Sequence, residues 1–579
     1  MSPTSDLILN NLPGLILLVL IIAVPLAFMT SIVLLRLYRR AVLRAMRKHA
    51  NSDRGEPAPL DFFVSEEAVE RPLKISVLES GSGSVLDLDR DGLYGELVRV
   101  PWRIAAVYAI AGACYALVMT IVFLAATTSG FHPIRFLIPF WYYVWPVVVT
   151  VCLVAAPTWQ TRGIVVSIYF LALIPLGVIA RTGNSAFDWG QIALLWLLTN
   201  FLAAVVLLAF LNRRVRAVGP LVLTFMICAV TGSVLLPFVA GSDAGRSRLL
   251  ISIGLTLGLD RFGVFIGLVL LGFLLFGAIG WLLLQWIGDW YKQKKISEQS
   301  ITMDAIWLLF GIFQSIGLIF EGERWFVASL LSFFVYKIVA WAGFEVLGRN
   351  ARLGRPPPNL LLLRVFSLGR RSERLFDVLG THWRYVGSIR LIAGPDLATT
   401  TMEPHEFLDF LSGKLARRFI DSTQTLDVRI SEMDVEPDHD GQFRVNDFFC
   451  YDDTWRVVLS RLVEESDVVL MDLRGFSSQN AGVIFEISEL MNLVPLERVV
   501  MTIDGTTDER YLRQVLQNSW EHLRPTSPNR RSKSGELHLF QLQGLRNVDV
   551  QQFLRVLSIA ADSAPAIGRQ YATTSSPID

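Results

Sequence analysis

The sequence predicts two fold classes in one chain: an α-helical polytopic membrane domain of about nine spans, then a C-terminal α/β doubly wound domain on a mostly parallel sheet. Three observations predict this. Apolar runs of bilayer length recur between residues 12 and 347. Beyond a proline-rich joint at 349–359, strand-like and helix-like segments alternate instead. The charge divides at the same place: residues 1–360 hold 29 Lys/Arg against 21 Asp/Glu, whereas residues 361–579 hold 24 against 31.

The chain is 52% apolar and 18% charged, with a mean hydropathy of +0.46, where soluble domains carry roughly 25% charge. Disordered, collagenous and disulfide-rich classes are excluded. The acidic excess of the second part argues against a nucleic-acid partner, because phosphate backbones would be repelled. Four cysteines build no disulfide framework. Cys114, Cys152 and Cys228 lie in apolar runs, and Cys450 falls in the second part, which suits a reducing compartment.

A bilayer core needs about 20 apolar residues of helix. The runs 12–35, 104–128, 134–156, 163–180, 191–211, 221–240, 262–288 and 325–347 qualify, and 302–320 is slightly shorter but uncharged after Asp304. The first run (residues 1–35) has no Lys or Arg before it and many after it, so it reads as an anchor rather than a cleaved signal. Basic residues cluster after the first, fifth, seventh and ninth runs, beginning with Arg36, Arg39, Arg40, Arg44, Arg47 and Lys48. That asymmetry puts the amino terminus outside and the C-terminal domain in the cytoplasm, at an inner or plasma membrane. The 11-residue run 249–259 is too short to span and reads as re-entrant or interfacial. Inside the 104–348 block, Lys337, Gln314 and Asn200 are the polar residues to explain. They mark a polar pathway or coupling site; in the structural alternative the amides bond across helices and Lys337 pairs with Glu345 or Asp304, or snorkels. No repeat of interrupted helices points to a transporter.

The cytoplasmic loop 36–103 carries β-like pieces at 73–78 and 95–100 and a flexible Gly81 to Ser84 turn. It is too small to hold a core alone, so it is expected to pack on the larger domain. That domain spans 360–560, before a disordered tail at 561–579. Strands are predicted at 360–366, 388–393, 426–430, 467–473, 499–503 and 536–542, with helices at 372–383, 404–420, 455–463, 483–493 and 508–520. Strands apolar throughout and separated by helices imply a parallel sheet covered on both faces. Ligands of such sheets sit outside the carboxyl ends of the strands. Three loops converge there: one with Gly394, Thr399 and Thr400, one with Arg474 and Ser477, and one with Gly505 and Thr506 that runs into a helix amino terminus. Each also reads as an ordinary capped loop. No Walker loop, zinc-type Cys/His spacing or nucleophile elbow occurs, so no metal and no certain cofactor is predicted. The acidic run 432–440 reads as a solvated loop, because it lacks the Gly and terminal Glu spacing of a calcium loop.

The stretch Ser466-Asp-Val-Val-Leu-Met-Asp-Leu473, then Gly482-Val-Ile-Phe-Glu-Ile487, then Arg498-Val-Val-Met-Thr-Ile-Asp504 resembles the middle of a TIR domain. It is similar also to the nucleoside deoxyribosyltransferase group, which shares that topology. Arg364-Val-Phe-Ser-Leu-Gly-Arg-Arg371 resembles the first TIR strand and its loop. The resemblance covers residues 360–520 or so. Segment 431–453, with eight acidic residues, has no counterpart in it.

The resemblance implies that Glu486 is catalytic, acting on the N-glycosidic bond of NAD or of a nucleoside. One carboxylate beside the anomeric carbon can stabilise or attack an oxocarbenium-like state, and Asp472 could bind a ribose hydroxyl. A solvated helix face, or a salt bridge to Arg474, is the structural alternative for Glu486. The implied function is membrane signalling or defence by a cytoplasmic domain that binds or cleaves a nucleotide such as NAD. A channel or transporter gated by a nucleotide and a non-catalytic scaffold remain alternatives. The partners expected are the bilayer, a small nucleotide and a second copy through the cytoplasmic domain, with no nucleic acid.

Overall fold

The computed structural model describes residues 3–50, 71–79, 92–127, 133–156, 158–183, 189–210, 213–351, 356–365, 370–394, 402–451, 454–531, 535–542 and 547–563. The chain forms two compact units: residues 1–38, 104–348 and 402–412 make the first, and 39–103, 349–401 and 413–579 the second.

In the first unit, eight helices among the described residues are long and apolar enough to cross a bilayer. They are Asn11–Met46, Leu93–Thr127, Arg135–Val154, Trp159–Ile179, Val215–Gly241, Arg261–Lys292, Glu298–Ile319 and Arg324–Gly348. The predicted run 191–211 forms the 22-residue helix Trp189–Phe210, part of whose side chains lies outside the described residues. Nine spans are therefore not reached among the described residues. The run 249–259 falls on the 13-residue helix Ala244–Thr256, about 20 Å long and too short for a bilayer core of about 30 Å. Asp243 caps it by accepting from the Arg246 amide at 2.9 Å, and Gly258, at φ +76°, turns the chain into the next helix.

The helices of this unit invert the usual pattern of burial. Arg261–Lys292 buries Gly272, Gly277 and Gly280 and exposes Phe262, Leu270, Leu274, Leu275 and Leu282. Large apolar side chains turned outward suit hydrocarbon, and glycines turned inward let backbones approach. A Cβ on Gly272 would stand 2.1 Å from the Gly232 carbonyl oxygen, and one on Gly232 2.2 Å from that of Gly272. Ser233 Oγ donates across the same crossing to the Val269 carbonyl at 3.2 Å. The short helix Pro404–Leu411 also belongs to this unit. Tyr291 Oη donates to Glu403 Oε2 just before it at 2.9 Å, and the Phe410 ring meets Tyr38 edge-on at 5.4 Å. The predicted helix 404–420 thus stops early; Gly413, at φ +71°, ends that segment.

The second unit is built on one eight-stranded sheet. Its strands are β1 (Lys74–Glu79), β2 (Asn359–Arg364), β3 (Ser388–Ile392), β4 (Phe419–Ile420), β5 (Val445–Cys450), β6 (Val468–Asp472), β7 (Val499–Ile503) and β8 (Glu536–Gln541). Their order is β1-β8-β7-β6-β2-β3-β5-β4, and every pairing is parallel. Successive residues alternate between two cores. Leu361, Leu363, Val469, Met471, Val499 and Met501 face the helices Trp455–Glu464, Ala481–Leu493 and Glu509–Glu521. Leu360, Leu362, Val468, Leu470 and Val500 face Arg370–His382 and Asn547–Asp562. This double cover is why the strands read as unbroken apolar runs.

The loop 36–103 does pack on this unit: β1 pairs with β8, and Trp520 Nε1 donates to the Arg71 carbonyl at 2.6 Å. Several local expectations are corrected. The piece 95–100 is the start of helix Leu93–Thr127, whose Leu97 is buried in the second core; its carbonyl lies 3.0 Å from His382 Nδ1. Segment 426–430 is helical within Thr423–Ser431, because Ser422 caps that helix by accepting from the Thr425 amide. The acidic segment 431–453 contains β5, and Asp438 and Asp440 are buried rather than solvated. The buried Arg444 holds Asp438 at 2.8 Å and Asp434 at 3.1 Å. Residues 547–562 form a helix that the sequence pattern does not announce, so the first residues of the tail expected at 561–579 are helical. The Gly81 to Ser84 turn and residues 564–579 of the tail lie outside the described residues.

Candidate functional site at the switch point of the sheet

The chain leaves β2 in one direction through β3 and in the other through β6, so the order reverses between β2 and β6. A crevice forms outside the carboxyl ends of strands at such a switch point. In the register of this pair, Arg364 stands beside Asp472. Both are buried.

Asp472 is fully engaged. It accepts from Arg474 Nε at 2.7 Å and from Arg474 Nη2 at 2.6 Å, and Thr502 Oγ1 of β7 donates to it at 3.1 Å. Arg474 also donates to the Arg371 carbonyl at 3.2 Å. A tight turn follows at Gly475, whose φ of +73° favours glycine. Ser477 then closes a small loop, its amide donating to Asn480 Oδ1 at 2.9 Å. The β7 loop is tied to the same edge. Thr507 Oγ1 donates to the Leu473 carbonyl at 3.0 Å, and the Asp508 amide to the Phe476 carbonyl at 2.9 Å. Gly505 and Thr506 are exposed at its tip, where Arg371 Nη1 reaches Thr506 Oγ1 at 3.0 Å and Asp504 Oδ2 at 3.1 Å.

Glu486 lies on the helix Ala481–Leu493 that follows β6 and is only 3% exposed. Among the described residues its Oε2 has no hydrogen-bond partner. Burial pushes its carboxyl up to about 8, against the opposing pull of the Arg364 guanidinium. Arg364 is itself 3% exposed and leans across the end of β3, with Nη1 3.4 Å from the Ile392 carbonyl. Arg474 is committed to Asp472, so the cation that acts on Glu486 is Arg364, not Arg474.

No family model, curated protein or solved structure matches this chain.

Glu486, Asp472, Arg474, Ser477, Gly394, Gly505 and Thr506 all belong to segments leaving the carboxyl edge of the sheet; Gly394 follows β3 directly and is buried. Thr399 and Thr400 lie outside the described residues. Arg364 is not among the site residues that the sequence marks. Its signal was a single cation closing the otherwise apolar strand Asn359–Arg364. Among the described residues no group of His, Cys, Asp and Glu is placed to hold a metal ion.

The three polar candidates of the helical unit are held by partners or packing. Lys337 Nζ donates to Asp304 Oδ2 at 2.7 Å, the pairing expected for it in the structural alternative. Gln314 Nε2 donates to the Thr199 carbonyl across two helices. Asn200 is fully buried, and among the described residues neither polar atom of its side chain has a partner.

Proposed function

We propose that this chain is a multi-pass membrane protein whose cytoplasmic α/β unit binds a nucleotide such as NAD and cleaves its N-glycosidic bond with Glu486, in signalling or defence. In this reading, Trp189–Phe210 is the fifth span and brings the total to nine, the amino terminus lies outside, and the bilayer is a constitutive partner. One observation carries the proposal: a buried carboxyl with an unpartnered oxygen, beside a buried arginine, at the switch point of a parallel sheet. Taking β2 as the first strand, the stretch β3-β2-β6-β7-β8 has the order 2-1-3-4-5, whose ligands bind at the reversal. The TIR-like stretch falls on the same strands, which further supports the reading.

The chemistry follows from the charge balance. At neutral pH an empty site keeps Glu486 protonated. The pyridinium of NAD brings a positive charge that favours the ionised form. The carboxylate then stabilises the oxocarbenium-like state as the C–N bond breaks, its electron pair leaves with nicotinamide, and water adds to the ribose carbon and loses a proton to solvent. Arg364 offers a guanidinium for an anionic group of the ligand. The test is full-length protein in detergent, incubated with NAD and then with a panel of nucleosides, with free base as the readout. Release that stops in a folded Glu486→Gln variant supports the proposal. No release at high protein concentration, or release that survives the substitution, rejects it.

A further inference from the structure

The helices Val215–Gly241 and Arg261–Lys292 form a hairpin. They run antiparallel: a Cβ on Gly272 would meet Gly232, whereas one on Gly280 would stand 3.2 Å from Cys228 Cβ. Beyond the Gly232–Gly272 crossing the first helix continues to Gly241, about 14 Å further on. The short helix Ala244–Thr256 begins there. Near its other end, a Cβ on Gly254 would stand 2.0 Å from Val264 Cγ2, and Val264 lies about 12 Å above the same crossing. Both ends of the short helix thus stand at nearly one level. It lies across the end of the hairpin, not along it, which in a bilayer is the plane of the surface.

The outer side of this segment is unsuited to water. Leu249, Ile253, Leu255, Leu257 and Phe262 are all exposed, a contiguous apolar stretch of the kind that marks an interaction surface. Arg246 and Arg248 beside it are exposed too, and among the described residues neither forms a salt bridge. The nearby carboxylates are engaged as helix caps, Asp243 on the Arg246 amide and Asp260 on the Gly263 amide at 2.7 Å. Apolar side chains flanked by uncompensated cations are the combination that holds a helix in a membrane interface. We infer that Ala244–Thr256 lies in the headgroup plane and binds anionic phospholipid, with Arg246 and Arg248 on the lipid phosphate and the apolar side chains among its acyl chains. A guanidinium donates two hydrogen bonds to a phosphate, and its long stem crosses apolar surface to reach the headgroups. A zwitterionic lipid carries a cation that offsets its phosphate, so two guanidinia favour a lipid of net negative charge. The inference rests on the membrane reading of the helical unit and is independent of the chemistry at Glu486.

The experiment uses the full-length chain with a small fluorophore on Leu255→Cys, in nanodiscs of equal parts phosphatidylcholine and phosphatidylglycerol. One lipid at a time carries bromines on its acyl chains, which quench a fluorophore in contact with them. The unaltered chain, taken through the same labelling, supplies the background from its own cysteines. Both lipids are expected to quench, and phosphatidylglycerol beyond its share, by roughly fivefold for each arginine engaged. In Arg246→Gln/Arg248→Gln that excess disappears while quenching by phosphatidylcholine remains. A second label on Leu274→Cys, exposed along the next helix, tests the membrane reading by itself. Quenching there without quenching at Leu255 overturns the inference alone, and quenching at neither overturns both. Equal quenching by the two lipids at Leu255, or an excess that survives the double variant, also overturns the inference.

Discussion

Asp472 and Arg474, two residues apart at the end of β6, close a two-bonded fork at 2.7 and 2.6 Å. The aspartate is thereby committed to shaping the loop that leads to Glu486, and Thr502 fixes its remaining geometry from β7. A ligand hydroxyl would have to compete with a charge-assisted pair for that carboxylate.

Arg474→Lys keeps the charge but loses the planar fork. It is expected to destabilise the α/β unit by about 2–4 kcal/mol, because Asp472 stays buried with a poorer partner. Chemical denaturation of the full-length protein, followed by tryptophan fluorescence, measures it. No change in midpoint would show that the fork has no structural role.

The raised carboxyl of Glu486 gives stability a sign against pH. The folded state holds the proton up to about 8, whereas an unfolded chain releases it near 4.5. The folded state therefore binds more protons throughout that window, and stability falls as pH rises through it. Glu486→Gln removes this component, so the variant gains on the parent as pH rises towards 8, by roughly 5 kcal/mol at most. Melting temperatures at matched pH values test this, and parallel pH curves would contradict it.

Gly232 and Gly272 allow their helices to touch through backbone. Gly272→Ala is expected to destabilise the helical unit by about 1–3 kcal/mol through overpacking, and Gly272→Val by more. Gly267→Ala serves as the control, because a Cβ added there would meet nothing within 4 Å. Thermal aggregation in detergent ranks the three variants, and equal midpoints would refute the close crossing.

Lys337 and Asp304 predict a double-mutant cycle. Either Lys337→Met or Asp304→Asn alone strands a charge among apolar helices, at a cost of about 3 kcal/mol in lipid. The double variant is expected to recover most of that loss. Additive losses would mean that the two side chains do not depend on each other.

Legibility followed burial. The strands β2, β6 and β7 lie between two cores and read as unbroken apolar runs. β5 did not, because Asn446 and Asp447 interrupt it; Asn446 instead ties the strand to Asp434, accepting from its amide and donating to its carbonyl. Segment 426–430 carries Val428 and Ile430 and looked like a strand, yet Asp421 and Ser422 supply the cap that starts a helix. At the switch point, the sequence singles out Glu486 by a resemblance alone and does not single out Arg364. A cation at a strand end acquires meaning only once the strand order puts it at the reversal.

The pairing of β1 with β8 joins segments that synthesis separates widely. Ser76 and His538 are neighbours in the sheet but 462 residues apart in the chain. At ribosomal rates, β1 emerges roughly 20–90 s before its partner strand exists. Every apolar helix of the first unit that follows β1 is made in that interval. A message truncated ahead of β8 therefore yields a product whose β1 has no strand to pair with, a ready substrate for chaperones and proteases.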